Sequence, residues 1–452
     1  MLLPAKLALG HATRALSRRL HRGGTTVPGR LLLRFEPRAI ELLGRRLERG
    51  SAVVSATNGK TTTAAMIAAI MGRAGVALVH NRAGSNMSWG VATALLDARR
   101  GGDELGLFEV DEAWLVDVAR DLEPRLFLLS NLFRDQLDRY GELELIADRW
   151  AGIVAERAGR ARFVLNADDP LVADLGRDHA GITYFGVEDS SIASPELQHA
   201  ADSKRCRNCG SAYVYGAAYL AHLGHYRCPD CGRERPLPAV AAERVVLHGM
   251  TGSEVDLRLP GERLEALRLP LPGLYNVYNA IAAAAAAIEL GASPEAVRAG
   301  LEGFAGAFGR VETIALGPRE LSILLVKNPA GANEVLRTLT LEDGSLDIWL
   351  ALNDQIADGR DVSWIWDADF ELLAGRVRSA TCSGTRAEEM ALRLKSAGID
   401  APTTVERDIG RSLDAALARA GGGPLYALPT YTALLELRDL LARRGVVGRW
   451  AD

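Results

Sequence analysis

Three stretches of this sequence carry side chains that can do chemistry. The first is Thr57-Asn58-Gly59-Lys60-Thr61-Thr62-Thr63, which joins a short run of small and β-branched residues, Ser51–Ser55, to an apolar helical pattern from Thr61 to Met71. A loop in that setting points backbone N–H groups and a helix N-terminus at phosphate oxygens. Gly59 lets the backbone approach closely, Lys60 can neutralise β- and γ-phosphate charge, and the Thr61 hydroxyl can face Mg²⁺. Val54 stands where the first glycine of a full Walker loop would be, so the strand–loop–helix context carries the reading. A plain βα turn is the bland alternative.

The second stretch is Cys206-x-x-Cys209 and Cys228-x-x-Cys231, separated by eighteen residues. Two such knuckles bring four thiolates to one tetrahedral point, and the segment between them reads as a β-hairpin, so a zinc ribbon is expected. Four protein ligands leave no open position, which makes the expected Zn²⁺ structural. A redox pair and an iron–sulfur site are the alternatives. His222 and His225 read as hairpin residues, and the solitary Cys382 as a small apolar residue on a strand.

The third is Leu352–Asp367, in which Asp354, Asp358, Asp361 and Arg360 crowd a glycine-containing loop ahead of Trp364 and Trp366. Loops after strands carry function in open α/β sheets. A charged turn with Asp361 as helix N-cap explains the same residues. On residue types alone the two readings are even.

The elements that position these stretches follow from pattern. Strands are expected at Ser51–Ser55, Val76–Val79, Leu105–Val110, Leu126–Leu129 and Arg162–Leu165, alternating with helices, which implies a mainly parallel sheet wrapped by helices. Residues 203–235 interrupt that rhythm as a small inserted module, and regular α/β character is expected again near Arg244. Leu274–Leu290 is a long Ala-rich helix with its entry loop. After a boundary near Gly317-Pro318, strands at Leu321–Val326, Leu346–Leu352, Ala380–Ser383, Thr403–Val405 and Leu425–Ala427 alternate with helices in a second, Rossmann-like pattern. The domains expected are 1–50, a basic helical segment; 51–316, the nucleotide-binding unit with its ribbon insertion at 203–235; and 317–452, a smaller α/β unit.

Composition agrees with an ordinary globular protein: 452 residues, 48% hydrophobic and 24% charged. A net charge of −4 argues against a dedicated nucleic-acid binder. No stretch reads as a membrane span or a signal peptide, so a cytoplasmic location is expected. Residues 1–50 carry eleven Lys and Arg against three Glu. That segment reads as a solvated helix packed on the domain behind it, or as a basic amphipathic helix resting peripherally on the anionic inner membrane surface. The Ala-rich apolar face without aromatic anchors favours the first.

Thr57-Asn-Gly-Lys-Thr-Thr62 resembles the ATP loop of the Mur ligase family, which includes the peptidoglycan ligases and folylpolyglutamate synthase. Asn131–Tyr140, Leu165–Pro170, Gly273–Asn279 and Gly309-Arg310 are similar to further family segments in the same order. The resemblance implies ATP held by Thr57, Asn58, Gly59, Lys60, Thr61 and Thr62, with Asn279 at the adenine edge, Asn276 ordering its loop, and Arg310 on the nucleotide. It implies Mg²⁺ between Thr61 and Glu109; a surface carboxylate at a strand end is the plain alternative for Glu109. Departures are Gln136 for a metal-associated His, Ala151 near a modified Lys, Ala56 for Gly and Tyr275 for His. They argue against a ligase that adds an amino acid.

The Leu352–Asp367 segment, with Lys327–Gly331 and Gly384–Glu389, is similar to the C-terminal domain of the MurT family, the synthetase subunits of lipid II isoglutaminyl synthase. That resemblance implies a GatD-type class I glutamine amidotransferase as partner and lipid II as substrate. ATP would convert the α-carboxylate of D-glutamate in the stem peptide to an acyl phosphate, with Lys60 and Mg²⁺ stabilising the transferring phosphoryl group, and ammonia would then give D-isoglutamine. Asp361 would complete the partner's Cys–His pair, with Asp358 as second candidate. The rivals are a Mur-family ligase joining an amino acid to a peptide or folate, and a nucleic-acid-binding ATPase gripping through the ribbon.

Overall fold

The computed structural model describes residues 10, 12–13, 26–81, 85–134, 143–194, 197, 201–305, 311–419 and 421–448. Strand β1 (Ser51–Ser55) is buried along its whole length because it lies inside a sheet covered on both faces. With β2 (Ala77–His80), β3 (Glu104–Glu109), β4 (Leu126–Leu129), β5 (Arg162–Asn166) and β6 (Ile182–Val187) it forms a parallel array. A separate hairpin, β7 (Val214–Leu220) and β8 (Leu223–Arg227), belongs to the cysteine module. The main sheet then continues through β9 (Val240–Leu247), parallel to β6, and the antiparallel β10 (Ser253–Leu259) and β11 (Glu262–Leu269). The order of this nine-stranded sheet is β11-β10-β9-β6-β5-β4-β1-β3-β2.

Regular α/β alternation was expected to resume near Arg244, and the structure corrects this. Residues 240–269 are three strands without an α-helix. The burial pattern explains them. In β10 Val255, Leu257 and Leu259 point into the core while Glu254, Asp256 and Arg258 do not, the period-two pattern of an antiparallel strand with one wet face.

One face of the sheet packs α1 (Lys60–Arg73) and α2 (Leu274–Glu289). Helix α2 is buried at every position from Asn276 to Ala287, and its run of alanines lets it fit between the sheet and α1 without side chains to keep them apart. The other face buries Phe127, Phe163 and Trp150 together with Leu32, Ile40 and Leu43 from the short helices Val27–Phe35 and Ala39–Gly44. The basic helical rhythm expected before residue 23 lies almost wholly outside the described residues.

The second sheet has the order β12-β13-β17-β14-β15-β16. Its strands are β12 (Val311–Leu316), β13 (Arg319–Leu324), β14 (Leu346–Ala351), β15 (Val377–Ser383), β16 (Thr403–Val405) and β17 (Leu425–Pro429), all parallel except β12. Helix α3 (Pro329–Thr340) and the helix Ala387–Ser396 cover one face, and Ile409–Arg419 and Tyr431–Arg443 the other. Gly317-Pro318, expected to mark the boundary, is instead the turn of the β12–β13 hairpin, with Gly317 at φ 63°. The division between the two sheets therefore falls before Val311. Among the described residues, no helix is long and apolar enough to cross a membrane.

Candidate active site

Gly59 ends the loop after β1 in a left-handed conformation, φ 83°, and a Cβ there would collide with the Asn279 carboxamide. Only glycine fits both conditions. The loop is tied from the side by the segment after β4. Thr57 N donates to Asn131 O at 3.0 Å and Asn58 N to Asn131 Oδ1 at 2.9 Å. Phe133 N donates to Thr57 Oγ1 at 3.1 Å. From α2, Asn279 Oδ1 accepts from the Thr63 hydroxyl at 3.2 Å, while its Nδ2 donates to Asn276 Oδ1 at 3.1 Å. Asn276 in turn donates to Pro272 O, the loop-ordering contact expected of it.

Lys60 is buried at the start of α1. Its ammonium donates to Glu112 Oε2 at 2.7 Å, to Thr57 O at 3.2 Å and to Ala56 O. Burial works to strip its proton, but Glu112, Asp111 and Glu109 outweigh it and hold the Lys60 pKa above the ordinary lysine value. Glu112 was not singled out from sequence. It is the last residue of the acidic run Phe108–Glu112, and the parallel pairing of β1 with β3 is what brings that run beside the loop.

Glu109 is buried at the end of β3, where its backbone is held by Asn81 and its Oε1 lies 3.5 Å from Asn86 Nδ2. The donor set fits a hard cation: a hydroxyl at Thr61, a buried carboxylate at Glu109, and further acidic charge from Asp111 and Glu112. Arg310, Gln136 and the rest of the 135–142 segment lie outside the described residues.

A cavity opens beside the loop. Asn58, Gly59 and Thr62 form one side, and Tyr275, Asn276, Tyr278 and Asn279 of α2 another. The C-terminal unit closes it with Lys327 and with Ala330, Glu334 and Val335 of α3. That unit also bonds the loop directly. Asn328 and Asn58 exchange side-chain amide hydrogen bonds at 3.0 and 3.3 Å, and Lys327 Nζ donates to Thr57 O at 3.2 Å.

The four cysteines come together as their spacing requires. All four Sγ atoms lie within 4.8 Å of one another. The Cys206–Cys231 and Cys209–Cys228 pairs stand at 3.6 and 3.4 Å, too far for disulfides. Zinc–sulfur bonds of about 2.3 Å in a tetrahedron separate sulfurs by about 3.8 Å, so the cluster fits a four-thiolate metal. His222 and His225 sit on the hairpin, apart from the cluster.

The acidic loop of the C-terminal unit sorts its carboxylates. Asp358 is buried and accepts from Thr432 N at 2.8 Å and from its hydroxyl at 2.5 Å. Asp354 pairs with Arg386 Nε at 2.7 Å. Asp361 is exposed and accepts from Ser363 N at 2.8 Å; Ser363 holds its carboxyl below the usual range, so it is ionised at neutral pH. Cys382 is buried on β15, and burial pushes its thiol up to about 12. A thiol so placed is not a nucleophile.

Comparison with known proteins agrees with this geometry. Residues 54–215 match the Mur ligase middle domain and residues 325–434 the MurT ligase C-terminal domain. The chain is 31% identical, over 96% of its length and 97% of the relative's, to the lipid II isoglutaminyl synthase (glutamine-hydrolyzing) subunit MurT of Staphylococcus aureus strain N315. The chain belongs to the MurT family. The subunit of that name from Streptococcus pneumoniae is 32% identical over 98% of this chain and 97% of its own. A solved pseudomurein peptide ligase type C from Methanothermus fervidus has the same fold, with a TM-score of 0.69 at 23% identity over 89% of this chain and 80% of its own. The MurT membership accounts for the pairing of a Mur-type sheet with the smaller second unit.

Proposed function

We propose that this protein is the ATP-dependent synthetase subunit of a glutamine-hydrolysing lipid II isoglutaminyl synthase. The observation that carries the proposal is the likeness, over nearly the whole of both chains, to two subunits so named. The function implied by the sequence resemblance is the same.

A carboxylate does not react with ammonia, because oxide is a poor leaving group. The α-carboxylate of D-glutamate in the stem peptide attacks the γ-phosphorus of ATP and ADP departs, leaving an acyl phosphate. Ammonia then adds to the acyl carbon, phosphate leaves, and a proton is lost to give the amide. Thr57, Asn58, Gly59 and Thr62 cradle the phosphates through the loop and the α1 N-terminus. Lys60, kept charged by its acidic neighbours, stabilises the transferring phosphoryl group. Asn279, packed beside Gly59 and bonded to Thr63, would present its amide to the adenine edge. Thr61 and Glu109 would hold magnesium, which would supply positive charge to the phosphate oxygens. Cys206, Cys209, Cys228 and Cys231 would hold zinc, which four protein ligands would leave without an open position and so structural.

Ammonia comes from a GatD-type glutaminase. Asp361 is the carboxylate this chain offers to the partner's Cys–His pair: it is exposed and bonded only at the adjacent Ser363 turn, whereas Asp354 is ion-paired with Arg386 and Asp358 is buried on Thr432. An exposed, ionised carboxylate there orients an imidazole and stabilises its charged form. The experiment is ATP- and glutamine-dependent amidation of lipid II by the co-purified pair. Asp361→Asn should leave ATP binding intact and cut glutamine hydrolysis at least about a hundredfold, as loss of an imidazole-orienting carboxylate does. Undiminished glutamine turnover would refute the Asp361 assignment, and no amide product from the wild-type pair would refute the function.

A further inference from the structure

The cysteine module looks remote from the chemistry in sequence, but its hairpin does not stay at the periphery. Between β7 and β8 the chain turns at Leu220-Ala221-His222-Leu223, and all four residues are at least 95% buried. Leu220 and Leu223 line the same cavity as Gly59 and Asn279. The His222 ring packs on Phe133 with centroids 4.9 Å apart, and Phe133 N is the donor that holds the Thr57 hydroxyl. The hairpin thus presses on both the cavity and the phosphate loop.

It is also anchored to the helix that forms the opposite wall. The buried Asp168 carboxylate accepts from Tyr278 Oη of α2 at 2.7 Å and from Arg235 Nε, just past the last cysteine, at 2.5 Å. Asp168 O accepts from Gly224 N, one residue beyond the tip, at 2.9 Å. At the other end, Tyr219 O accepts from Arg337 of α3 at 3.3 Å. The tip packs into the main core through Ala217, Tyr219, Leu220, Ala221 and Leu223, whereas the cysteine end has a small cluster of Cys206, Tyr213, Tyr226 and Cys228 against Ala173 of a neighbouring helix. So few side chains cannot order the cysteine end alone, and a metal-bound cluster does so in such modules, fixing the hairpin whose other end reaches the cavity.

We propose that the four-cysteine module is a component of the nucleotide site: its tip, Leu220 and Leu223, forms an apolar wall for the base, and the metal-bound cluster sets ATP affinity by holding that tip in place. The proposal rests on the cavity being the ATP site. It assigns the insertion a binding role, with the leucines contacting the nucleoside end and the cysteines acting through the hairpin.

The test measures binding without turnover, using a fluorescent ATP analogue and the full chain co-purified with its partner. Leu220→Ala and Leu223→Ala should each weaken the analogue by about tenfold, the loss expected when apolar groups leave a base-sized pocket. Inorganic tripolyphosphate, which has no base, should compete equally well in all variants. A Cys209→Ser, Cys231→Ser chain, altered only at the two exposed thiols, should lose its zinc by atomic absorption and weaken analogue binding to the same degree. If wild type binds the analogue in a Lys60-dependent manner but the leucine variants and the zinc-free chain bind as tightly, the hairpin proposal is overturned and the nucleotide reading survives. If wild type does not bind, or Lys60→Ala binds equally, the nucleotide reading itself fails. Should the serine variant unfold, the leucine variants with their tripolyphosphate control decide alone.

Discussion

Lys60 shows how a residue readable by type can still surprise by its surroundings. The Gly-Lys-Thr signal marked it as a phosphate-binding cation, yet its ammonium lies on Glu112, both side chains less than a tenth exposed. Removing one member of such a pair leaves an uncompensated buried charge, which costs about 3–5 kcal/mol, whereas replacing both is close to neutral. Lys60→Met should therefore lower the unfolding free energy of the larger unit, read from urea titration, by that order, and adding Glu112→Gln should restore most of it without restoring ATP binding. A Lys60→Met chain as stable as wild type would show that Glu112 is not held by this pair. Glu112 escaped notice in the sequence because it lies 52 positions from Lys60 and its role depends on strand pairing. The cysteines needed no such help: two short spacings constrain four sulfurs locally.

At the level of elements, the sequence was most informative where periodicity and burial coincide. Strands β1, β4 and β16 lie where expected, and most others differ by one to three residues at their ends. The helices Ser88–Leu95, Leu115–Leu122 and Leu143–Arg157 and the strands β6 and β12 were not foreseen. Residues 240–269 were misread although Val255, Leu257 and Leu259 alternate with Glu254, Asp256 and Arg258, the period-two signal of a half-exposed antiparallel strand; the α/β rhythm before it was carried past that signal. The loop after β1 was legible because glycine is required there, and the structure sharpens the reason. An alanine at φ 83° costs about 1–2 kcal/mol of backbone strain, and its Cβ also strikes Asn279. Gly59→Ala should fold but bind ATP at least tenfold more weakly, since about 1.4 kcal/mol of loop distortion is a tenfold loss. Adding Asn279→Ala removes the collision and leaves the strain, so recovery of affinity should be partial at best. Complete recovery in a binding titration would mean that the backbone conformation was never the constraint.

Across the whole molecule, the decisive feature is that neither sheet encloses the cavity alone. Its loop and α2 belong to the larger unit, its cover of Lys327 and α3 to the smaller, and the Asn58–Asn328 amide pair joins them at the loop itself. That contact spans 270 positions and crosses two sheets, which is why no local pattern announced it. A ligand that binds only the assembled site stabilises every part needed to make it, by about 2.7 kcal/mol at a hundred times its dissociation constant. ATP with magnesium should therefore raise the unfolding temperature of both units together and slow proteolysis on either side of residues 306–310. Asn328→Ala removes both the bridge to Asn58 and the side-chain cap that accepts from Gly331 N at 2.9 Å. In that variant ATP should still protect the larger unit while protection of the smaller one falls, because the cover is no longer tied to the loop. If calorimetry instead showed ATP stabilising the larger unit alone in the wild-type chain, the smaller unit would not be part of the nucleotide site, and the acidic loop it carries would have to communicate with the phosphate loop by another route.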